Sequence, residues 1–241
     1  MIASHSASRF KTTSWTLIVG AHGDREALEA LLRRYWGPVY AYLRRDGHNP
    51  DQAEELSQAF MVEVLIGRNL LARADAARGR FRSFLLKSLK HYLVDVHRHE
   101  HGRDGRRECV SISGDEMKRL RQQVIDSGSP DEAFTRHWAT TVLNQALERM
   151  RQTYEGDGRA MHWRIFEERT LRPFLYGNQA ASVSALANEG DLGDASQVSN
   201  MLHTAKRKFV ATLLEVIAET VDDSADIEAE LNELVAALSR S

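Results

Sequence analysis

Apolar residues recur at helical spacing along most of the chain, and nearly all the elements that this pattern predicts are α-helices. The first stripe consists of residues three and four positions apart: Leu28, Leu31, Leu32, Tyr35, Val39 and Leu43. Pro38 lies within this stripe and predicts a kink or a restart of the helix. The segment 46–50 (DGHNP) contains turn-forming residues and predicts a turn before the next helix.

An acidic amphipathic helix is predicted after this turn, over residues 52–66. Its polar faces carry Glu54, Glu55 and Gln58, while Leu56 and Phe60 lie on its apolar face. Two interpretations of the polar residues stay open at this point. They form either a solvated helix face or a surface that binds a partner.

A basic helix is predicted over about 81–99, after a loop or broken helical segment at 67–79. Its apolar stripe contains Phe84, Leu85, Leu89, Tyr92, Leu93 and Val96. This spacing assigns Phe84 to the core rather than to a surface on which bases could stack.

Positive charge is concentrated between Arg78 and Arg107, where nine Lys or Arg residues oppose three acidic residues. The resulting net charge is +6, in a chain whose formal net charge is −2. A local field of this size, with aromatic residues within it, favours a polyanion whose bases can be stacked upon. The cations predicted to contact it are Arg78, Arg80, Arg82, Lys87, Lys90 and Arg98, together with His91.

The second half of the chain contains a helix-turn-helix pattern. A helix begins at Pro130, after a polar, glycine-containing stretch at 103–130 that is predicted to be a flexible linker. A short helix around Leu186 is followed by a turn at 190–193 and by Asp194, the expected N-cap of a helix that reaches about Ile217. The side chains expected on base edges are Ser196, Gln197 and Asn200, and those expected on phosphates are Lys206, Arg207 and Lys208.

The predicted fold class is therefore all-α. Two helical domains are predicted, at 15–102 and 131–217, with a frayed segment at 1–14 and an acidic extension at 218–241. From Glu215 to Ser241 eight acidic residues oppose Arg240 alone, a net charge of −7. The extension also carries a helical apolar stripe made of Ile227, Leu231, Leu234 and Leu238.

Two interpretations of this extension are considered. One is a solvated end helix. The other is self-inhibition, in which the acidic helix docks on a basic surface, either 206–208 or 78–107, and competes with phosphate for it.

Several classes of function find no support in the sequence. A phosphate-binding loop, a nucleophile elbow and a metalloprotease helix are all lacking, so no enzyme activity is expected. Cys109 is the only cysteine, which excludes an internal disulfide and favours a reducing, cytoplasmic setting. His97, His99 and His101 do not share one helical face, so no metal site is expected, and no other cofactor is expected. No apolar run is long enough to span a membrane, so no membrane association is expected.

Three segments resemble the extracytoplasmic-function (ECF) sigma factors of bacterial RNA polymerase. QAEELSQAFMVEVL is similar to region 2.2 of that family, and FRSFLLKSLKHYLVDVHRHEHGR is similar to its regions 2.3 and 2.4. VSNMLHTAKRKFVATL is similar to the end of region 4. TTSWTLI and ADAARGRFRSFLLKSLKHYL resemble an ECF-like group that is abundant in planctomycete-type bacteria.

The resemblance implies a sigma factor that recruits core RNA polymerase to promoters and helps to open them. It implies that Glu54, Glu55 and Gln58 bind the β′ clamp helices, and that the segment 73–80, with Arg73 at its start, captures a flipped −10 base. Region 4 would bind the flap tip of the polymerase and the −35 element. An anti-sigma factor or a Ser/Thr kinase is implied as a candidate regulator.

Two other classes of function stay open. One is a helix-turn-helix regulator that binds DNA without polymerase, and the other is a helical protein that binds a partner protein through its acidic tail. The hypothesis of a regulator gives no role to the acidic helix at 52–66. Binding to core RNA polymerase separates the three hypotheses.

Overall fold

The computed structural model describes residues 25–63, 80–99, 128–189, 195–221 and 224–239. These segments are helical and contain no strand, which confirms the predicted all-α class. The helices are α1 (Arg25–Arg45), α2 (Pro50–Phe60), α3 (Phe81–His99), α4 (Pro130–Gly156), α5 (Ala160–Phe166), a π-helical segment (Glu167–Leu171), α6 (Arg172–Tyr176), α7 (Val183–Glu189), α8 (Ala195–Ala218) and α9 (Ser224–Ser239).

The chain divides into two compact units. Unit one comprises Met1–Thr141 and Ile217–Ser241, and unit two comprises Val142–Val216. This division differs from the limits predicted from sequence. Helix α4 continues through the first boundary, and the C-terminal segment belongs to unit one rather than forming a separate extension. Of the predicted linker, only residues 128–130 are described.

Helix α1 forms much of the core of unit one. Its buried side chains include Tyr35, Trp36, Val39, Tyr40 and Leu43. Pro38 lies inside the helix without ending it, so the predicted restart does not occur. After Arg45 the predicted turn is present, and Gly47 adopts a φ of 103° there, a conformation that favours glycine.

Helix α2 begins with a complete capping box. The Asn49 side chain accepts a hydrogen bond from the Gln52 N–H, and the Gln52 side chain accepts one from the Asn49 N–H. Pro50 occupies the first turn, where its missing N–H needs no partner. The start of the predicted acidic helix is therefore fixed by local chemistry.

Helix α3 closes the core of unit one with its apolar face. Phe81, Leu85, Leu89 and Tyr92 are buried on this face, while Phe84 is half-buried. The Phe81 ring meets Tyr35 of α1 edge-on, with 5.2 Å between ring centroids, and the Tyr92 ring lies 5.6 Å from Phe60 of α2. Tyr92 of the predicted stripe is thus in the core, whereas Phe84, which the spacing also assigned there, is only half-buried, with its ring 6.4 Å from that of Phe81.

Helix α9 confirms that the acidic C-terminal segment is helical. Leu234 of the predicted apolar stripe is buried in unit one. Glu219, which precedes this helix, forms an ion pair with Arg34 of α1, and both side chains are almost fully buried. The C-terminal segment therefore packs on unit one with one face buried.

Unit two has two apolar clusters that share Leu202 of α8. One consists of Met150, Tyr154, Phe166 and Ala205, with Phe209 packed against it. The other consists of Ile165, Leu186, Ala187 and Val198, with Met201 packed against it. Because α7 and α8 both contribute to the second cluster, the predicted helix pair is held together by its own core.

Candidate functional site

The exposed face of α3 brings four of the predicted nucleic-acid contacts together. Lys87, Lys90, His91 and Arg98 are all exposed and recur at intervals of three, one and seven residues, which places them along one side of the helix. We call these four residues the basic stripe. The opposite face of α3 is the core face, so unit one holds the basic stripe in a fixed orientation.

Val94 lies within the basic stripe and is 49% exposed. An apolar side chain surrounded by cations is suited to contact the faces of bases or an apolar partner, in addition to phosphates. No role for Val94 was predicted from the sequence. Its position on the line 87–91–94–98 is the signal that could have identified it.

Lys90 is the member of the basic stripe with a carboxylate partner in the structure. Its Nζ lies 2.6 Å from Asp131 Oδ2 at the start of α4, and both side chains are about half exposed. An ion pair this accessible to water contributes little to stability, so phosphate can compete for Lys90.

Arg80 and Arg82, by contrast, are engaged by carboxylates of α9. The Arg82 Nε lies 3.0 Å from Glu230 Oε2, and another nitrogen of the same guanidinium bonds Glu233. The Arg80 side chain lies 2.6 Å from Glu233 Oε1 and 3.5 Å from Glu230 Oε1. We call these four residues the arginine–glutamate cluster.

Arg82 is an interior residue in this structure. It is 5% exposed, its guanidinium stacks over the Trp138 ring at 4.5 Å from the ring centroid, and it reaches the Thr135 hydroxyl at 3.3 Å. A guanidinium held in this way is not available to DNA. The predicted contact surface on α3 is therefore the basic stripe, and Arg82 has a structural role.

The two glutamates of the cluster differ in their electrostatics. Glu230 is 1% exposed, and this burial raises the pKa of its carboxyl although Arg82 and Arg80 oppose the shift. Partial burial also favours a higher pKa for Glu233, but hydrogen bonds and charge from Arg80 and Arg82 outweigh it and lower that pKa. Glu233 is thus the more firmly ionised of the two and carries the charge that faces the solvent side of the cluster.

The predicted polymerase-binding residues lie together on α2 but differ in exposure. Glu55 is exposed, whereas Glu54 and Gln58 are half-buried. Phe60 is buried and Leu56 is half-buried, as expected for the apolar face. The most accessible acidic groups on this helix are Glu55 and Asp51, which lie four residues apart on one side.

Helix α8 presents a polar face in unit two. Ser196, Gln197 and Asn200 are exposed, and so are Lys206 and Arg207, whereas Lys208 is half-buried. Val198 and Ala205 are buried on the other side. Helix α8 is thus amphipathic, with one face packed on its own unit and the other exposed.

An exposed apolar segment in unit two was not predicted. Phe174, Leu175 and Tyr176 form the end of α6 and are 67%, 51% and 70% exposed. Gly177 follows with a φ of 64° and terminates the helix. The run of three large apolar residues before a glycine is visible in the sequence (RPFLYG), although nothing in the sequence distinguishes an exposed run from a buried one.

Several predicted residues lie outside the described part of the chain. They are Arg73, Arg78, Cys109, His101 and the expected cap Asp194, together with most of the proposed base-capture segment 73–80. Within the described part, no group of three or more His, Cys, Asp or Glu side chains is arranged to hold a metal ion. No helix there is both long enough and apolar enough to cross a membrane.

Comparisons with known proteins give no family for this chain. No protein-family model matches it, and searches of curated proteins and of solved structures also find no match. The surfaces described above therefore have to be interpreted from their own chemistry.

Proposed function

We propose that the chain is an RNA polymerase sigma factor of the ECF type, which directs core polymerase to promoters and helps to open them. The observation that carries the proposal is the basic stripe on α3, with four predicted DNA contacts on one exposed face and the aromatic residues of the region-2-like segment in the core behind it. The proposal places the protein in the cytoplasm and assigns it no catalytic step.

Unit one supplies the surface for unpaired DNA in this proposal. Cations along α3 would hold the phosphates of the non-template strand, and Val94 would contact bases between them. Promoter melting then needs no covalent chemistry, because capture of unstacked bases offsets the few kcal/mol that unstacking costs per step. Arg73 and Arg78, in the preceding segment, are proposed to complete the pocket for a flipped base.

Helix α8 of unit two supplies the surface for duplex DNA. Ser196, Gln197 and Asn200 are short or amide side chains at its N-terminal end, and such groups hydrogen bond to base edges in the major groove. Lys206 and Arg207 lie two to three turns further along and would hold phosphates. The exposure of these five side chains supports this assignment.

Helix α2 supplies the acidic face that would bind the polymerase. Exposed carboxylates at the rim of an interface mainly set specificity and association rate, and they meet basic side chains of a partner. Glu55 and Asp51 provide such groups in this structure, with Glu54 and Gln58 half-buried beside them.

The charge reversal Glu55→Arg tests this assignment through the affinity for core RNA polymerase. We expect the mutant to bind at least about tenfold more weakly, because a like charge replaces an attractive one at the interface. The matched control is Asp157→Arg, which makes the same charge change at an exposed residue of unit two. Equal affinities of the two variants, with the folds of both intact, would contradict the role of α2.

A second candidate function is a helix-turn-helix regulator that binds duplex DNA and not polymerase. The exposed polar face of α8 favours it as much as it favours a sigma factor. It predicts sequence-specific DNA binding by the isolated chain and no affinity for core polymerase at any concentration. A helical protein that acts only through a protein partner would show neither property.

A further inference from the structure

The start of the basic helix is covered by the acidic C-terminal helix. The Arg80 carbonyl accepts the first hydrogen bonds of α3, from the Ser83 and Phe84 N–H groups, so Arg80 stands at the N-terminal end of this helix. It precedes Lys87 by seven residues, which is about two helical turns. Arg80 thus lies where the basic stripe would continue, and its guanidinium is bound by Glu233 of α9.

We propose that α9 is an autoinhibitory segment, in which Glu233 occupies Arg80 and competes there with the phosphates of nucleic acid. The inference rests on the proposed function, because it requires that α3 bind a polyanion. The sequence allowed two docking surfaces for the acidic segment, 78–107 and 206–208. The ion pairs of the arginine–glutamate cluster select the first.

The cluster has an inner and an outer part, and only the outer part is suited to competition. Arg82 and Glu230 are buried, with side chains 6% and 1% exposed, and separating them would leave uncompensated charges in the interior. The Arg80 and Glu233 side chains are 25% and 40% exposed. An ion pair that is reached by water is weak enough for a polyanion to displace.

Competition therefore does not require α9 to leave the unit. Release of Glu233 would remove the nearer carboxylate from Arg80, at 2.6 Å, and leave Glu230 at 3.5 Å. Glu230 would still hold Arg82, and Leu234 would keep the helix docked. Truncation of the whole segment is a poor test of this mechanism, since it would strip Arg82 of both carboxylate partners and destabilise unit one. A substitution of Glu233 alone removes one of the two carboxylates from Arg82 and leaves Glu230 on it, so the buried guanidinium keeps a partner.

The test is the affinity of the full chain for a fluorescent single-stranded oligonucleotide, measured over a range of salt concentrations. We expect Glu233→Gln to bind about two- to fivefold more tightly than the natural chain at low salt, because a surface pair of this strength is removed. A plot of the logarithm of the binding constant against the logarithm of the salt concentration should also have a slope steeper by about 0.7, which corresponds to one additional phosphate contact.

The matched control is Glu228→Gln, which removes the same charge from an exposed position of the same helix. Equal effects of Glu233→Gln and Glu228→Gln would show a general charge effect and overturn the inhibition, while leaving nucleic-acid binding intact. Absence of binding in the natural chain and in both variants would overturn the proposed function and the inhibition together.

A second measurement does not depend on any substitution. Amide hydrogen exchange of the natural chain reports the protection of residues 224–239 with and without saturating oligonucleotide. We expect exchange over these residues to be unchanged by the oligonucleotide, because Glu230 and Leu234 keep α9 docked while Glu233 alone releases Arg80. Loss of protection across the whole helix would contradict side-chain competition and would mean that α9 leaves the unit.

Discussion

In the described part of unit one, four charged residues are buried among apolar ones. Arg82 precedes Leu85 by three residues, and Glu230 precedes Leu234 by four, so each falls on the buried face of its helix. Arg34 and Glu219 are the second such pair. Each buried arginine has a buried glutamate as its partner, which is the condition under which such charges are tolerated in an interior.

Substitution of one residue of such a pair should therefore lower the free energy of unfolding more than substitution of both. We expect Arg82→Met to lower the free energy of unfolding by about 3 kcal/mol, since Glu230 loses its nearest cation while it stays buried. The double variant Arg82→Met with Glu230→Met should recover a large part of this loss. Urea denaturation measures both values.

The control for this pair is Arg98→Met, which changes an exposed arginine of the same helix and should alter stability by no more than about 0.5 kcal/mol. If Glu230→Met lowers the free energy of unfolding as much in the Arg82→Met variant as it does in the natural chain, the two side chains do not act as a pair.

At the scale of elements, periodicity and turn residues predicted most of the described helices, whereas the expected cap Asp194 lies outside the described part and the capping box at Asn49 was not predicted. The limits of α3 agree with the prediction, α4 begins at Pro130 as expected, and the α7–α8 pair is present. These features are local, because an apolar stripe, a proline or a cap acts within a few residues of itself. The partner of α9 is not local. Arg80 and Glu233 are separated by 153 positions, and periodicity identifies a buried face without specifying what covers it.

Only part of the candidate site was predicted, because non-local contacts also decide which of its cations are exposed. The sequence assigned positive charge to residues 78–107 as a group, and the structure separates by face those cations that lie in its described part, 80–99. Lys87, His91 and Arg98 are exposed, whereas Arg82 is interior. A charged residue on an apolar stripe is the signal that would have removed Arg82 from the surface.

The separation by face predicts different effects along α3. Lys87→Gln and Arg98→Gln should each weaken binding of a single-stranded oligonucleotide and reduce the logarithmic salt dependence by about 0.7, because each removes one phosphate contact. Arg33→Gln removes the same charge from an exposed position of α1 and should leave both quantities nearly unchanged. Equal losses in all three variants would mean that binding follows net charge and not the basic stripe.

At the scale of the whole molecule, the net charge is near neutral, and the acidic and basic residues of the described part are concentrated on different helices. Unit one carries the acidic face of α2, the basic stripe of α3 and the acidic helix α9, and unit two carries the polar face of α8. Each unit has its own core, so each can hold its surface in a defined orientation. A protein that must contact both a polymerase and a nucleic acid needs separate surfaces of this kind.

As the proposed sigma factor, this chain should give core RNA polymerase the ability to start transcription at particular sites. The decisive experiment is to transcribe fragmented genomic DNA of the source organism with core polymerase, with and without the chain, and to sequence the 5′ ends of the transcripts. We expect a set of discrete start sites that appear only when the chain is present. Start sites that are the same in both reactions would contradict the proposal.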